Sequence, residues 1–115
     1  MNYLGLDYGA SKIGVAIATG PLAEPLTTLN TKNAIQAIKD LIVKHNINTI
    51  IIGDAPENFI NLLRIGHWSL VIVDETLSSH DAREKLLHTT QRRRKNLEHQ
   101  VSATIILQNW LDNSV

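Results

Sequence analysis

The hydrophobic period of this sequence changes near Lys32, and that change constrains the fold more than any other feature. Before it, three short β-type runs are separated by turn-forming residues, which is typical of an antiparallel meander. After it, apolar residues recur at helical spacing, and the pattern ends at Asn46. The β-type runs lie at 3–6, 12–18 and 26–29, and the helix lies at 32–46.

Strand-type and helix-type segments alternate through the rest of the chain. They end at turn or capping signals, such as the capping box that Ser78 forms with Asp81. Since strand–helix–strand connections are right-handed crossovers, the later strands are expected to be parallel. The sequence therefore predicts an α/β fold, a five-stranded mixed sheet flanked by helices. The predicted segments are a strand at 49–52, a helix at 57–65, a strand at 70–73, a helix at 78–87, a loop at 89–95 and a helix at 97–112.

Size and composition exclude several classes of protein. A chain of 115 residues is expected to form one domain, residues 1–115, and is too short for a two-lobed enzyme. It has no cysteine, which excludes disulfides, thiolate zinc sites and cysteine nucleophiles. Lys+Arg and Asp+Glu both number 11, so a nucleic acid would have to be held by a local basic patch. The pattern predicts neither a signal peptide nor a membrane span, and we expect a cytoplasmic protein with no membrane partner.

Four acidic residues follow predicted strands. Asp7 ends the first strand, Asp54 follows the fourth, and Asp74 and Glu75 close the fifth. Ligands of such sheets gather beyond the carboxyl ends of the strands, and clustered carboxylates are costly unless a cation neutralises them. Oxygen ligands suit Mg²⁺ or Mn²⁺, which serve phosphodiester hydrolysis. Taken singly, each acid is better explained as a turn or strand-end residue, but together they indicate a metal site.

Four sequence blocks form a specific combination: LGLDYGASKIGVAIA, IIIGDAP, VDETLSSHDAREKL and VSATIILQNWLD. In this order they resemble the blocks of the YqgF (RuvX-like) family of the RNase H-like superfamily, and the resemblance covers nearly the whole chain. It implies an RNase H-like fold and a hydrolase, a metal-dependent nuclease in which Asp7 and Glu75 are the catalytic, metal-binding acids. Gly9 and Gly14 match family glycines, and the physical reason is a tight turn with close approach of the backbone.

The resemblance also implies a substrate. That substrate is the 16S ribosomal RNA precursor, trimmed at its 5′ end, with ribosome assembly particles as a further partner. RuvC-like relatives suggest a second substrate, the four-way (Holliday) DNA junction, which homodimers rather than monomers cut symmetrically. A catalytically weakened nucleic-acid-binding module is a third interpretation. The length argues against an actin-like ATPase, because 115 residues build only one of its two lobes.

The chain departs from the family pattern at several positions. The third family acid falls at His99, where imidazole can ligate Mn²⁺ or relay a proton, and the adjacent Glu98 can supply a carboxylate. Thr76 stands where the family often has arginine. Asp54 stands where the family often has an apolar residue and is a candidate spare metal ligand, although a cap or turn role explains it better. The loop after GDAP is also shorter than in the family.

A second group of residues is predicted to contact nucleic acid. Lys12 carries a charge that attracts phosphate, Gly9 allows close approach, and Tyr8 can stack on a base or pack in the core. Four consecutive basic residues precede the last helix, in a loop that the resemblance implies is basic in the family as well. A solvated loop is the simple interpretation, whereas a position beside the acids favours contact with a phosphate backbone. The four residues are Arg92, Arg93, Arg94 and Lys95.

Overall fold

The computed structural model describes residues 1–73 and 91–114, and within the last helix the side chains of residues 98–113. Five strands and three helices lie in these ranges. In chain order they are β1 Tyr3–Asp7, β2 Lys12–Ala18, β3 Glu24–Asn30, a 3₁₀ turn Thr31–Asn33, α1 Ala34–His45, β4 Thr49–Ile52, α2 Glu57–Leu63, β5 Ser69–Ile72 and α3 Gln91–Ser114.

The strands form one mixed sheet in the order β3-β2-β1-β4-β5. β1 and β3 both pair antiparallel with β2, while β4 pairs parallel with β1 and with β5. Both the predicted meander and the predicted parallel strands are confirmed. As a result, β1, β3, β4 and β5 all end at the same edge of the sheet, which we call the carboxyl edge.

Alternation along the strands divides the core between the two faces of the sheet. Leu4 and Leu6 of β1 point towards α1 and α2, whereas Gly5 between them lies under α3. The α1/α2 side carries the larger apolar cluster, which includes Ile38 and Leu63. The α3 side is built from small strand residues and one helix face. Its buried members are Ala16, Ala18, Ile51, Ala103, Ile106, Leu107 and Leu111.

The last helix is longer than the sequence predicted. Residues 91–95, expected in a loop, are helical, and the described helix runs as far as Ser114. Arginine, lysine and glutamine are good helix formers, and no glycine or proline interrupts residues 91–114, so the basic stretch continues the helical pattern. The predicted helix at 78–87 lies outside the described residues. No described helix is long and apolar enough to cross a membrane.

Candidate active site at the carboxyl edge of the sheet

Asp7 is the buried acid at the end of β1. The strand alternation that places Gly5 under α3 places Asp7 on the same face, two residues further towards the carboxyl edge. Only 10% of its side chain is exposed. A carboxylate with so little water around it requires polar partners, because burying an unpaired charge is costly. One partner side chain comes from α3.

His99 is that partner. It lies four residues before Ala103 and eight before Leu107, so it belongs to the stripe of α3 that packs on the sheet. His99 Nδ1 lies 3.2 Å from Asp7 Oδ2, and 38% of the histidine side chain is exposed. The pair therefore joins a buried carboxylate to an imidazole that solvent can reach.

Two glycines allow the helix to come this close. An ideal Cβ on Gly14 of β2 would collide with the carbonyl carbon and oxygen of His99, so the strand and the helix backbone touch there. A Cβ on Gly9 would stand 2.9 Å from Cε1 of the His99 ring. Both glycines are thus closely approached: Gly14 by the backbone of the helix that carries His99, and Gly9 by the carbonyl oxygen of Lys12 in the same turn and by the His99 ring.

The turn between β1 and β2 is tied to the end of β3. Thr31 donates its hydroxyl to the carbonyl oxygen of Gly9 at 2.8 Å and its backbone N–H to that of Ser11 at 3.0 Å. Lys12 Nζ donates to Asn30 Oδ1 at 2.7 Å. Sequence reasoning missed Asn30 and Thr31. The sequence feature that could have indicated them is their position: both have side chains that form hydrogen bonds, and both lie at the junction between a strand and a helix.

Tyr8 packs into the α1/α2 side of the molecule. Its ring meets that of Phe59 edge to face, with the centroids 4.8 Å apart. The side chain is half buried against the apolar cluster. Of the two roles considered for Tyr8, this contact favours packing over base stacking.

The other predicted site residues stand in different places. Asp54 is exposed beyond the end of β4 and lines a separate cleft with Glu57 and Arg64. Glu98 is half buried, one residue before His99 on α3. Glu75, like Asp74 and Thr76, lies outside the described residues.

Within residues 1–73 and the described part of α3, no three His, Asp or Glu side chains converge in a way that could hold a metal. The basic run Arg92–Lys95 forms the first turns of α3 instead of a loop.

The chemistry of Asp7 and His99 fits a divalent cation. Metal bonds from carboxylate oxygen and imidazole nitrogen are about 2.0–2.2 Å long, so neighbouring ligands in an octahedron are about 2.8–3.1 Å apart. The 3.2 Å separation of Asp7 Oδ2 and His99 Nδ1 is close to that spacing. The two side chains supply part of a coordination shell, and a further acid would be needed to complete it.

Comparison with known proteins identifies the family. The family model described as "RuvX: Holliday junction resolvase" matches residues 1–113. The chain belongs to the RuvX family. The RuvX resemblance seen in the four sequence blocks is therefore confirmed.

Two curated relatives of this RuvX-family chain come from Staphylococcus aureus. Both carry the name "Putative pre-16S rRNA nuclease". The one from strain bovine RF122 / ET3-1 is 34% identical and the one from strain JH9 is 33% identical, each over 96% of this chain and 94% of the relative. The alignments span 135 positions, whereas the chain has 115 residues, so the relatives carry residues that this chain lacks. That these belong to the loop after GDAP stays a prediction.

Solved structures confirm the RNase H-like fold of this RuvX-family chain. The fowlpox virus resolvase, in complex with Holliday junction DNA, superposes with a TM-score of 0.67 at 12% identity, over 100% of this chain and 99% of that one. Thermus thermophilus RuvC, also in complex with a Holliday junction, gives 0.61 at 10% identity, over 92% and 89% of the two chains. At sequence identities this low, the comparison shows that the fold is shared and nothing about function.

Proposed function

We propose that this protein is a metal-dependent nuclease that hydrolyses phosphodiester bonds of RNA, acting in the cytoplasm as a single domain of residues 1–115. One observation carries the proposal. A buried carboxylate, Asp7, meets a solvent-accessible imidazole, His99, at the edge where the parallel strands end. Ligands of open α/β sheets bind at this edge. Membership of the RuvX family supports nucleic acid as the ligand.

The residues have distinct roles in this proposal. Asp7 and His99 hold the divalent cation, Mg²⁺ or Mn²⁺, with Glu75 as the second carboxylate. Bound there, the cation supplies positive charge that activates water and stabilises the leaving oxygen. Asp7, held in place by its burial, orients the site, while the exposed edge of His99 faces the substrate. Glu98, which precedes His99 on α3, and Asp54, which follows β4, are the reserve carboxylates of the proposal.

The proposed substrate is the precursor of 16S ribosomal RNA, cut near its 5′ end. With this substrate, ribosome assembly particles are a further proposed partner. The names of the 33–34% identical relatives support this choice. The formal net charge of the chain is zero, so the backbone must be held locally. Lys12 and the basic run Arg92–Lys95 are the proposed contacts, together with Gly9 in the turn that precedes Lys12.

The experiment is a cleavage assay on a labelled 16S-precursor leader RNA with Mn²⁺ or Mg²⁺. We expect the wild-type protein to cut the RNA, and Asp7→Asn and Glu75→Gln to lose at least about a hundredfold in rate, as is typical when a group that stabilises transition-state charge is removed. Lys44→Gln, a change at the exposed end of α1, is the control that keeps full activity. If the wild type binds the RNA with either metal and cuts nothing, the protein is a binding module and the nuclease proposal is wrong.

A second candidate function is resolution of four-way DNA junctions. The family description and the fold shared with the fowlpox virus resolvase favour it. Symmetric cutting of a junction requires two active sites related by a twofold axis. Paired, symmetric nicks in a synthetic junction, made by a homodimer at a rate exceeding RNA cleavage, would make this the better proposal.

A further inference from the structure

A second feature of the carboxyl edge is a cleft of about 310 Å³, lined mainly by residues with polar or charged side chains. One wall is the turn from Ala10 to Lys12, and the other is the segment from Asn30 to Asn33. β3 runs parallel to β1, since both are antiparallel to β2, so both walls lie at the edge where Asp7 ends its strand. The cleft and the candidate active site therefore face the same side of the molecule.

The cleft is held in shape by specific hydrogen bonds. Thr31 bridges the two walls through its hydroxyl to Gly9 and its N–H to Ser11. Asn30 Oδ1 accepts from Lys12 Nζ at 2.7 Å, which fixes the ammonium group at the rim and uses one of its three donors. Two donors of Lys12 remain for a ligand. The Lys12 ammonium group is therefore held by a hydrogen bond, unlike that of a lysine with no side-chain partner.

The chemistry of the lining suits a phosphate. Two of the lining residues, Lys12 and Lys32, are cationic, and the lining contains no carboxylate. The remaining polar groups are hydroxyls and amides, the other side chains that commonly contact phosphate oxygens in nucleic-acid complexes. In a chain with no formal net charge, this is a local concentration of positive charge.

The distance to the candidate active site is short. Gly9 contributes the carbonyl that Thr31 holds, and the same residue lies against the His99 ring. Gly9 and Lys12 are three residues apart, a separation that spans at most about 11 Å. Each strand of a duplex carries one phosphate per about 3.4 Å of axis, so the cleft is within reach of a phosphate about one to three nucleotides from the bond that is cut.

We propose that this cleft is a binding subsite for a backbone phosphate flanking the cleaved bond, with Lys12 and Lys32 as the contacts and Asn30 as the residue that positions Lys12. Lys32 carries no role in the proposed nuclease site described above. The subsite rests on the proposed action on nucleic acid, but its binding function does not require cleavage. Sequence reasoning pointed only to Lys12 among these residues.

The test is RNA binding by the full chain in EDTA, which prevents metal-dependent cleavage, measured by fluorescence anisotropy with a labelled leader RNA over a range of salt concentrations. We expect Lys32→Ala to raise Kd about three- to tenfold and to make the slope of log affinity against log salt shallower by about 0.7–0.9, the change for one lost phosphate contact. Lys44→Ala, which removes the same charge from the far end of α1, is the matched control and should leave the slope unchanged.

Two variants of Asn30 separate positioning from folding. Asn30→Ala should weaken binding and flatten the salt slope, because Lys12 is no longer held. Asn30→Asp should weaken it further, because a carboxylate would pair with Lys12 and repel phosphate, while the thermal unfolding midpoint stays within a few degrees of wild type. A purely structural role for Asn30 predicts the opposite order, with the alanine variant the worse binder.

The outcomes distinguish this proposal from the nuclease proposal. If Lys32→Ala and Lys44→Ala have the same salt slope as wild type, the subsite is wrong even when the wild type cuts RNA with Mn²⁺. If Lys32→Ala flattens the slope and the wild type cuts nothing, the cleft is a binding site for a backbone phosphate in a protein that does not cleave RNA, and the nuclease proposal fails. Undetectable RNA binding by the wild type would overturn the subsite.

Discussion

At the scale of single residues, the imidazole of His99 is expected to set the metal preference of the proposed site. Imidazole nitrogen suits Mn²⁺ and other transition metals, whereas Mg²⁺ favours oxygen ligands. We therefore expect the wild type to bind Mn²⁺ at least about tenfold more tightly than Mg²⁺ by isothermal titration calorimetry. His99→Asp should bring the affinities for Mn²⁺ and Mg²⁺ closer together, and Asp7→Asn should weaken the binding of both metal ions. An unchanged ratio in His99→Asp would mean that His99 is not a ligand.

Gly14 supports a prediction about stability. An added methyl group would collide with the carbonyl of His99, and overpacking of this kind costs about 1–3 kcal/mol. We expect Gly14→Ala to lower the free energy of unfolding in urea by that amount. Gly20→Ala is the matched control, because nothing lies within 4 Å of a Cβ at that position, and it should change stability by less than about 0.5 kcal/mol. Equal effects would contradict the close packing of α3 on β2.

At the scale of elements, α3 positions the site by packing on the sheet. His99 and Leu107 share the stripe of the helix that faces β1 and β2, and Leu107 is fully buried. His99 therefore contacts Asp7 only while the apolar residues of the stripe remain packed on the sheet. The apolar residues of the stripe pack along the sheet, whereas beside His99 the helix is held by the hydrogen bond from Gln100 to Thr28.

We expect Leu107→Ala to lower the free energy of unfolding by about 2–5 kcal/mol, the usual range for a leucine removed from a core. Leu22→Ala, the same change at a side chain that is 73% exposed, should have an effect below about 0.5 kcal/mol. Both are measured by urea denaturation followed by circular dichroism. A small effect of Leu107→Ala would show that α3 is not anchored by this stripe.

At the scale of the whole molecule, the residues proposed for the site, Asp7, His99 and Glu75, all come from the same sequence. The nuclease proposal therefore predicts RNA cleavage by a monomer. We expect the RNA cleavage rate to be proportional to protein concentration in the range where sedimentation velocity shows monomers. A rate that rises with the square of the concentration would indicate a homodimer as the active form and would favour junction resolution.

The sequence predicted most of the architecture, because periodicity and turn chemistry are local properties. The five strands, the mixed pairing and the end of α1 near Asn46 follow from short stretches of chain. The exception is the start of α3. A run of consecutive charged residues is typical of a solvated loop, but Arg and Lys are good helix formers, and the described helix begins at Gln91.

The sequence by itself also determined the family and the identity of the candidate acids, since both rest on residue types in a fixed order. Only the tertiary structure decided which of them meet. Asp7 and His99 are 92 positions apart, and their 3.2 Å contact depends on two glycines that let a helix lie on the sheet. The ties of Thr31 to Gly9 and of Asn30 to Lys12 are decided in the same way. Such contacts arise from packing between distant segments, and no local pattern of the sequence encodes their distances.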